Sequence, residues 1–281
     1  VTSLVQEAEA SQKRINEFLK ETPSIQNTNK TLTPIKGQIV FKDVYFTYED
    51  TNIEALKGVS FEVEKGKTLA IIGNTGSGKS TVLELIGRLY DVDNGSIEID
   101  GNTIKTLNLN TLRTSIGFVP QDPFLFSDSL KNNIKFGNNK ATESEVIDAA
   151  KKAVVHDNII NFKKGYDTIL GERGITLSGG QKQRVSIARA FIKKPQILLL
   201  DDCLSAVDTE TEEQILNNIE LVTKNKTTII VSHRISSAKN ADTIIVLNDG
   251  IITQKGTHNK LISVEGYYKE LYQKQLRESS N

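Results

Sequence analysis

Cysteine and methionine are nearly absent from this sequence. Its 281 residues include one cysteine, Cys203, and no methionine. A lone cysteine cannot form an internal disulfide, which excludes a disulfide-stapled fold and favours a reducing compartment. Because the sequence starts at Val1 and contains no methionine, we expect it to be a segment of a longer polypeptide.

Net charge and long apolar runs are missing as well. The chain carries 35 Lys and Arg residues against 35 Asp and Glu residues, so its formal net charge is zero. Without a basic excess, no nucleic-acid partner is predicted, and any bound anion has to be held by local groups. No apolar run approaches the roughly 18 residues of a transmembrane helix, so no such helix is predicted.

The chain divides into an N-terminal helix, a linker and one large domain. Apolar residues recur near one face of residues 1–22 with charged residues between them, which predicts an amphipathic helix. Residues 23–37 are mostly polar and contain two prolines, as linkers do. The compact domain is predicted to span residues 38–281.

The pattern of the domain is typical of an α/β fold. Segments such as "IVFKDVYFTY" and "VSFEVEKGKTLAII" alternate as half-buried strands do. The aliphatic runs 197–200 and 227–231 are separated by a helical segment, which favours a mainly parallel sheet covered on both faces. From about 125 to 175 the pattern is helical and includes a capping box at Thr142 and Glu145, so a helical subdomain is predicted there.

The strongest local signal is "GNTGSGKST", which lies between the predicted strand "TLAII" and the predicted helix "STVLELIGRLY". It fits G-x-x-x-x-G-K-[ST], in which backbone N–H groups and a helix N-terminus surround a phosphate chain. Lys79 is predicted to reach the terminal phosphates, and Ser80 to offer its hydroxyl to Mg²⁺. The predicted nucleotide-binding residues of this loop are Gly73, Asn74, Thr75, Gly76, Ser77, Gly78, Lys79, Ser80 and Thr81.

Two adjacent carboxylates follow a buried strand in "ILLLDDCLSAVD". In a chain that also has a phosphate loop, this pattern predicts Asp201 as a Mg²⁺ ligand, because hard cations prefer oxygen ligands. Asp202 would then lie next to the attacking water and is predicted to be catalytic. The structural alternative is that the two carboxylates cap a helix or a turn.

A second anion site is predicted at "LSGGQKQR", residues 177–184. A helical segment follows at once, so Ser178 and the amides of Gly179 and Gly180 form another helix N-terminus that could bind an anion. Either the chain binds two separated phosphate groups, or two copies each complete the other's site.

Taken together, these motifs resemble the nucleotide-binding domain of ABC transporters over nearly all of residues 38–275. The resemblance implies the P-loop NTPase cassette fold, with a mainly parallel sheet, an antiparallel β subdomain and a helical subdomain. It also implies ATP and Mg²⁺ as ligands. The resemblance implies that Tyr48 stacks on adenine, that Gln121 in "FVPQD" contacts Mg²⁺, and that His233 is the switch histidine near the γ-phosphate. It also implies that Ser205–Asp208 form a loop that crosses the dimer interface. The residues implied to contact the nucleotide of the opposite subunit are Ser178, Gly179, Gly180 and Gln181.

Three segments resemble exporters in particular: "GERG" at 171–174, "FLFSDSLKNNIKFG", and the N-terminal helix, which would extend from a transmembrane domain. The resemblance implies a transmembrane partner domain, fused or separate, and a second nucleotide-binding domain in an ATP-dependent homo- or heterodimer. The location implied is the cytoplasmic face of a cell membrane. His156 and His258 lack comparable context and are given no role.

Asp202 departs from the family pattern, in which active members carry Glu directly after the Mg²⁺-binding Asp. A carboxylate withdrawn by about 1 Å can cost about 100-fold in rate, so a weak hydrolytic site is expected. Departures of this kind resemble the degenerate half of heterodimeric exporters. Two alternatives stay open: an ATP-gated dimerisation module with little hydrolysis, and a soluble cassette ATPase of DNA repair or translation.

Overall fold

The computed structural model describes residues 2–171, 176–205, 207 and 209–279. Its helices are α1 (Thr2–Lys20), α2 (Lys79–Ile86), α3 (Leu109–Ser115), α4 (Leu130–Lys135), α5 (Glu143–Lys152), α6 (His156–Ile160), α7 (Gly179–Ile192), α8 (Thr209–Val222), α9 (Ile235–Ala238), α10 (His258–Ser263) and α11 (Tyr267–Ser279). Its strands are β1 (Ile39–Tyr48), β2 (Ile53–Val63), β3 (Thr68–Ile72), β4 (Asn94–Ile99), β5 (Asn102–Thr103), β6 (Ile116–Val119), β7 (Ile197–Asp201), β8 (Thr227–Val231), β9 (Thr243–Asn248) and β10 (Ile251–Gly256).

The strands form two sheets. The smaller sheet is antiparallel in the order β2-β1-β4-β5. In the larger sheet, ordered β10-β9-β3-β8-β7-β6, the strands from β9 to β6 pair in parallel and β10 joins the edge antiparallel to β9. This confirms the α/β class, the mainly parallel sheet and the antiparallel β subdomain.

The central strands of the larger sheet are buried on both faces. Along β7, Leu199 packs into the core shared with the antiparallel sheet, whereas Leu198 and Leu200 pack into the core shared with the helical part. Successive side chains of a strand point to opposite faces, so a strand covered on both sides needs an unbroken aliphatic run. The aliphatic run at 197–200 indicated this arrangement for that reason.

Three short α-helices lie within the described part of residues 125–175, where the pattern is helical. They are α4, α5 and α6, whose apolar faces share one core with α7. The capping box is present, since the Glu145 N–H donates to Oγ1 of Thr142 and the Thr142 N–H donates to Oε2 of Glu145 at 2.9 Å.

The N-terminal helix and the linker behave differently from each other. In α1 the apolar side chains of Leu4 and Phe18 are 72% and 79% exposed, so the predicted amphipathic face packs on nothing in the described chain. The linker holds no helix or strand among its residues 23–37, yet Ile35 is buried and the N–H groups of Lys36 and Gly37 donate to the Asp100 carboxylate. No described helix combines the length and hydropathy needed to cross a membrane.

The helix after the phosphate loop is shorter than predicted. We expected "STVLELIGRLY" to be helical throughout, but α2 ends at Ile86. The N–H of Arg88 donates to Leu85 O at 3.1 Å and that of Leu89 to Glu84 O at 2.9 Å, while Arg88 adopts a φ of +48°. These two bonds around a left-handed residue are a Schellman motif, which satisfies the last carbonyls and stops the helix.

Candidate functional site

The phosphate loop connects β3, in the middle of the larger sheet, to α2. Its glycines let the chain pass close to other backbone: a Cβ on Gly73 would lie 2.0 Å from the Leu247 carbonyl oxygen, and one on Gly78 would lie 2.4 Å from that of Ala55. Gly78 also has a φ of +94°, which L side chains rarely adopt. The loop therefore requires glycine at both ends and delivers a helix N-terminus, whose first N–H groups lack partners within the helix.

Lys79 is folded back over this loop. Its Nζ donates to the carbonyl oxygens of Gly73 at 3.0 Å and Asn74 at 2.6 Å, and only 6% of the residue is exposed. Burial lowers the pKa of the ammonium, opposed by the charges of Asp202 and Asp201. The loop thus holds a desolvated cation at the helix N-terminus, where both the charge and the helix dipole favour an anion.

Ser80 and Asp201 meet at the end of β7. The Ser80 hydroxyl donates to Oδ1 of Asp201 at 3.0 Å, and burial raises the pKa of this carboxyl. A hydroxyl and a carboxylate are oxygen donors suited to Mg²⁺, which takes only one or two carboxylates and relies on substrate phosphates and water for the rest. Within the described residues no cluster of three or more His, Cys, Asp or Glu could hold a metal. The pair therefore fits Mg²⁺ in company with a phosphate.

Asp202 and His233 follow the neighbouring parallel strands β7 and β8, and so reach the same edge of the sheet. The His233 N–H lies 3.4 Å from Oδ1 of Asp202, and the Asp202 N–H donates to Val231 O at 2.9 Å. Burial raises the pKa of the Asp202 carboxyl, against the opposing charge of His233. Asp202 has a φ of +40°, a conformation that Asp tolerates better than most side chains.

One cavity of about 280 Å³ brings most of the predicted residues together. Gln121, which follows β6, reaches it from the far side, and its carbonyl accepts from Nε2 of Gln183 at 3.4 Å. The predicted residues that line the cavity are Tyr48, Thr75, Gly76, Gly78, Lys79, Ser80, Thr81, Gln121, Asp201, Asp202 and His233.

Three loop residues lie outside that lining. Asn74 faces a different cavity, where its Oδ1 accepts from the Tyr267 hydroxyl at 3.0 Å. Gly73 lines this second cavity too, and Ser77 is buried with no partner for its Oγ among the described residues. The side chains of Asn74 and Ser77 are thus directed away from the phosphate cavity, and the loop's own turn accounts for their place in the motif.

Tyr48 has a hydroxyl contact that the sequence did not predict. Its OH donates to Oε2 of Glu84 at 2.7 Å and lies 2.9 Å from Oγ1 of Thr81, while its ring packs edge-on against Phe46 and Tyr90. Burial raises the pKa of this phenol. The ring is therefore fixed at the rim of the cavity by α2, which leaves it half-buried and available for stacking.

The helix N-terminus that was predicted as a second anion site is present, but it lies outside the phosphate cavity. Ser178 caps α7 in a capping box, with the Gln181 N–H donating to Ser178 Oγ at 3.3 Å and the Ser178 N–H donating to Gln181 Oε1 at 3.0 Å. Gly179 and Gly180 begin the helix and, with Ser178, Gln181 and their N–H groups, are absent from the lining of the phosphate cavity. In the described chain the Ser178 helix N-terminus and the phosphate loop do not line one cavity.

Two predicted segments fall partly outside the described residues. Residues 172–174 of "GERG" and residues 206 and 208 of the Ser205–Asp208 loop are not described. Of the latter loop, Ser205 is placed: its Oγ donates to the Asp202 carbonyl at 2.9 Å.

Sequence reasoning did not predict that Glu212 and Gln275 hydrogen-bond the segment that follows β8. Glu212, 2% exposed, accepts from Arg234, Ser236 and Ser237, and Gln275 bonds the backbone on either side of Arg234. The signal for Gln275 is an amide at an apolar position of an otherwise regular helical face. For Glu212 the sequence predicts only a helix-capping residue, because a Glu in the first turn of a helix is common there, and it gives no sign of the contacts with Arg234, Ser236 and Ser237.

Comparisons with known proteins show which family the chain is similar to. The sequence pattern of one family, described as ABC transporter, matches residues 56–205. ABC transporter B family member 24, mitochondrial, of Arabidopsis thaliana is 45% identical over 268 residues, which are 94% of this chain and 39% of that protein. ATP-binding cassette sub-family B member 6 of Xenopus tropicalis is 48% identical over 239 residues, 85% of this chain and 28% of that protein.

A solved structure, of a bacterial Atm1-family ABC exporter with ATP bound, superimposes with a TM-score of 0.90 at 38% identity. It covers 96% of this chain and 48% of its own. This chain thus spans less than half the length of each of these three relatives.

Proposed function

This chain belongs to the ABC transporter family and contains its ATP-binding domain, and on that premise we propose that it binds and hydrolyses Mg·ATP to drive an exporter. The observation that carries the proposal is the Ser80–Asp201 hydrogen bond, 3.0 Å long, beside buried Lys79. It joins the phosphate loop to the carboxylate end of β7, so a cation ligand pair and a phosphate cradle occupy one cavity.

Each residue of the cavity has a task that follows from its chemistry. Lys79 and the loop amides bind the phosphate chain, and the Tyr48 ring packs against the base. Ser80, Asp201 and Gln121 would hold Mg²⁺, which when bound neutralises charge on the phosphate oxygens. Asp202 would accept a proton from the attacking water, and His233 would bind the terminal phosphate from the end of β8.

A second copy of an ATP-binding domain is the partner that the chain requires. Ser178 to Gln181 lie outside the cavity that holds Lys79 and Asp201, although both sites suit phosphate. Head-to-tail pairing supplies the Ser178 helix of one copy to the ATP on the other, so that nucleotide bridges the two. Without ATP we expect a monomer, because in this arrangement the nucleotide is what bridges the two facing sites.

The N-terminal helix and the length of the relatives support a transmembrane domain as a further partner. The apolar face of α1 is exposed, and this chain spans less than half the length of the ABC relatives. We assign α1 to a connection with a transmembrane domain, residues 23–37 to a linker and residues 38–281 to the ATP-binding domain with its helical subdomain at about 125–175. On this assignment the domain would lie at the cytoplasmic face of a membrane.

Asp202 supports a second candidate, a domain that closes on ATP and hydrolyses it slowly. Its carboxylate is one methylene shorter than Glu and already lies 3.4 Å from the His233 N–H. In a heterodimer such a chain would contribute its intact Ser178 helix to the partner's competent site.

Phosphate release and molecular mass together test the proposal. We expect hydrolysis in Mg²⁺ that stops in EDTA, and an ATP-dependent increase in mass from 31.1 kDa to that of a dimer. Ser178→Arg should prevent the increase, because the arginine blocks the facing nucleotide. Hydrolysis that does not need Mg²⁺ would contradict the proposal. A molecular mass that stays unchanged both with ATP and after mixing with a second ATP-binding domain, one that carries Glu at the position of Asp202, would also contradict it.

A further inference from the structure

The last helix, α11, is anchored firmly beside the sheet. Tyr268 is completely buried, its hydroxyl lies 2.9 Å from Nδ1 of His258, and its N–H donates to Oε1 of Gln254 at 3.0 Å. Leu271 and Tyr272 pack against the same core. Gln275 continues this face at the helical spacing i, i+3, i+4, i+7, where packing alone predicts an apolar residue.

Gln275 uses both ends of its amide on the segment that carries His233. Its Nε2 donates to the His233 carbonyl at 2.7 Å, and its Oε1 accepts from the Ile235 N–H at 2.8 Å. One side-chain amide offers a donor and an acceptor, so a single residue satisfies two backbone groups of the turn between β8 and α9. The turn is fixed relative to α11 at His233, one of the residues that line the phosphate cavity.

A second helix holds the same turn. Glu212 of α8 accepts from the hydroxyls of Ser236 at 2.8 Å and Ser237 at 2.7 Å, and also from Arg234. Arg234 donates in addition to the Ser205 carbonyl at 2.9 Å. Residues 233–237 are therefore hydrogen-bonded to two helices, α8 and α11. Of these two helices it is α11, through Gln275, that bonds His233 itself.

We propose that Gln275 is a positioning residue for His233, through which α11 sets the place of the imidazole in the phosphate cavity. The opposite end of α11 touches the phosphate loop, since the Tyr267 hydroxyl donates to Oδ1 of Asn74 at 3.0 Å. One helix thus joins the loop that cradles phosphate to the residue that faces it. The effect on turnover rests on the proposed ATP hydrolysis, whereas the effect on the imidazole does not.

Three variants of the full chain test this in steady-state kinetics. Gln275→Ala should lower kcat about 10-fold with KM for ATP within about twofold, because it displaces a group that acts at the terminal phosphate rather than in base binding. Gln275→Glu keeps the size and the acceptor for Ile235 but turns a lone pair toward the His233 carbonyl, so we expect a loss at least as large. Gln273→Ala, an exposed residue on the same helix, is the matched control and should leave both constants unchanged.

Imidazole NMR tests the placement independently of turnover. The chain has three histidines, so the ring signal of His233 can be assigned with His156→Gln and His258→Gln. Gln275→Ala and Gln275→Glu should move the His233 signal while that of His156, in the helical subdomain, stays in place. An unmoved His233 signal, or a Gln275→Glu variant as active as wild type, would overturn the proposal. A wild-type chain that hydrolyses no ATP would refute the proposed function instead, and the NMR result would still decide the role of Gln275.

Discussion

Tyr48→Phe separates the two tasks that the structure gives this side chain. The change deletes the hydroxyl that donates to Glu84 at 2.7 Å and lies 2.9 Å from the buried hydroxyl of Thr81. A hydrogen bond contributes about 1 kcal/mol net to the free energy of unfolding, and one to a carboxylate contributes somewhat more. Because Glu84 is half-exposed, water can replace the lost tyrosine hydroxyl as its donor. We therefore expect a loss of about 1–2 kcal/mol in the free energy of unfolding.

The same variant should bind ATP almost as tightly as wild type, because the ring that stacks on the base is retained. Tyr48→Ala should weaken ATP binding by about 1 kcal/mol, roughly fivefold in Kd. Thermal melts should show a lower Tm for Tyr48→Phe, by about 2–4 °C per kcal/mol, and calorimetric titration should give the affinities. Tyr45→Phe, at an exposed tyrosine whose hydroxyl bonds no described residue, is the control. Equal losses of ATP affinity in Tyr48→Phe and Tyr48→Ala would refute the stacking role.

Further predictions concern Asp202 and the glycines of the phosphate loop. Asp202→Glu should raise kcat about 10-fold with little change in KM. Asp202→Asn should lower kcat strongly if the carboxylate is the base. Fast turnover by wild type, together with no gain in kcat from Asp202→Glu, would exclude a weak hydrolytic site. Because burial raises the Asp202 pKa and the base works ionised, kcat/KM should fall with acidification at a higher pH than an ordinary Asp pKa of about 3.9 implies. Gly78→Ala should destabilise the loop and abolish ATP binding, because the new Cβ would lie 2.4 Å from the Ala55 carbonyl oxygen. Gly76→Ala, at φ +79° with nothing within 4 Å of a Cβ, should cost only about 1 kcal/mol of strain. Equal effects of the two changes would contradict the steric argument.

Much of the fold could be predicted because its signals are local. The strand before Gly73, the aliphatic run before Asp201 and the capping box at Thr142 each depend on residues adjacent in sequence. The motifs assigned Lys79 and Asp201 to one nucleotide site, and the family resemblance added His233. Parallel strands bring their carboxyl ends to one edge, and the three residues are found lining one cavity.

The residues that sequence reasoning missed act over long distances along the chain. Gln275 meets His233 across 42 positions, and Tyr267 meets Asn74 across 193. Gln275 stands out in the sequence as an amide on an apolar helical face, but no local pattern shows which residue either side chain contacts. The predicted end of α2 was wrong for a different reason, since Arg88 adopts the left-handed conformation usually taken by Gly or Asn. Local propensity favours helix at that position, and the Schellman bonds override it.

Calorimetric titration of Mg·ATP into the chain tests the central claim, that the loop from Gly73 to Thr81 holds the nucleotide. Wild type and Lys163→Ala, a change at an exposed lysine, should bind ATP with the same affinity. Lys79→Ala should weaken binding at least about 10-fold, because it removes the one cation folded into the loop at 3.0 Å from Gly73 and 2.6 Å from Asn74. Equal affinity in all three proteins would contradict the assignment of this loop.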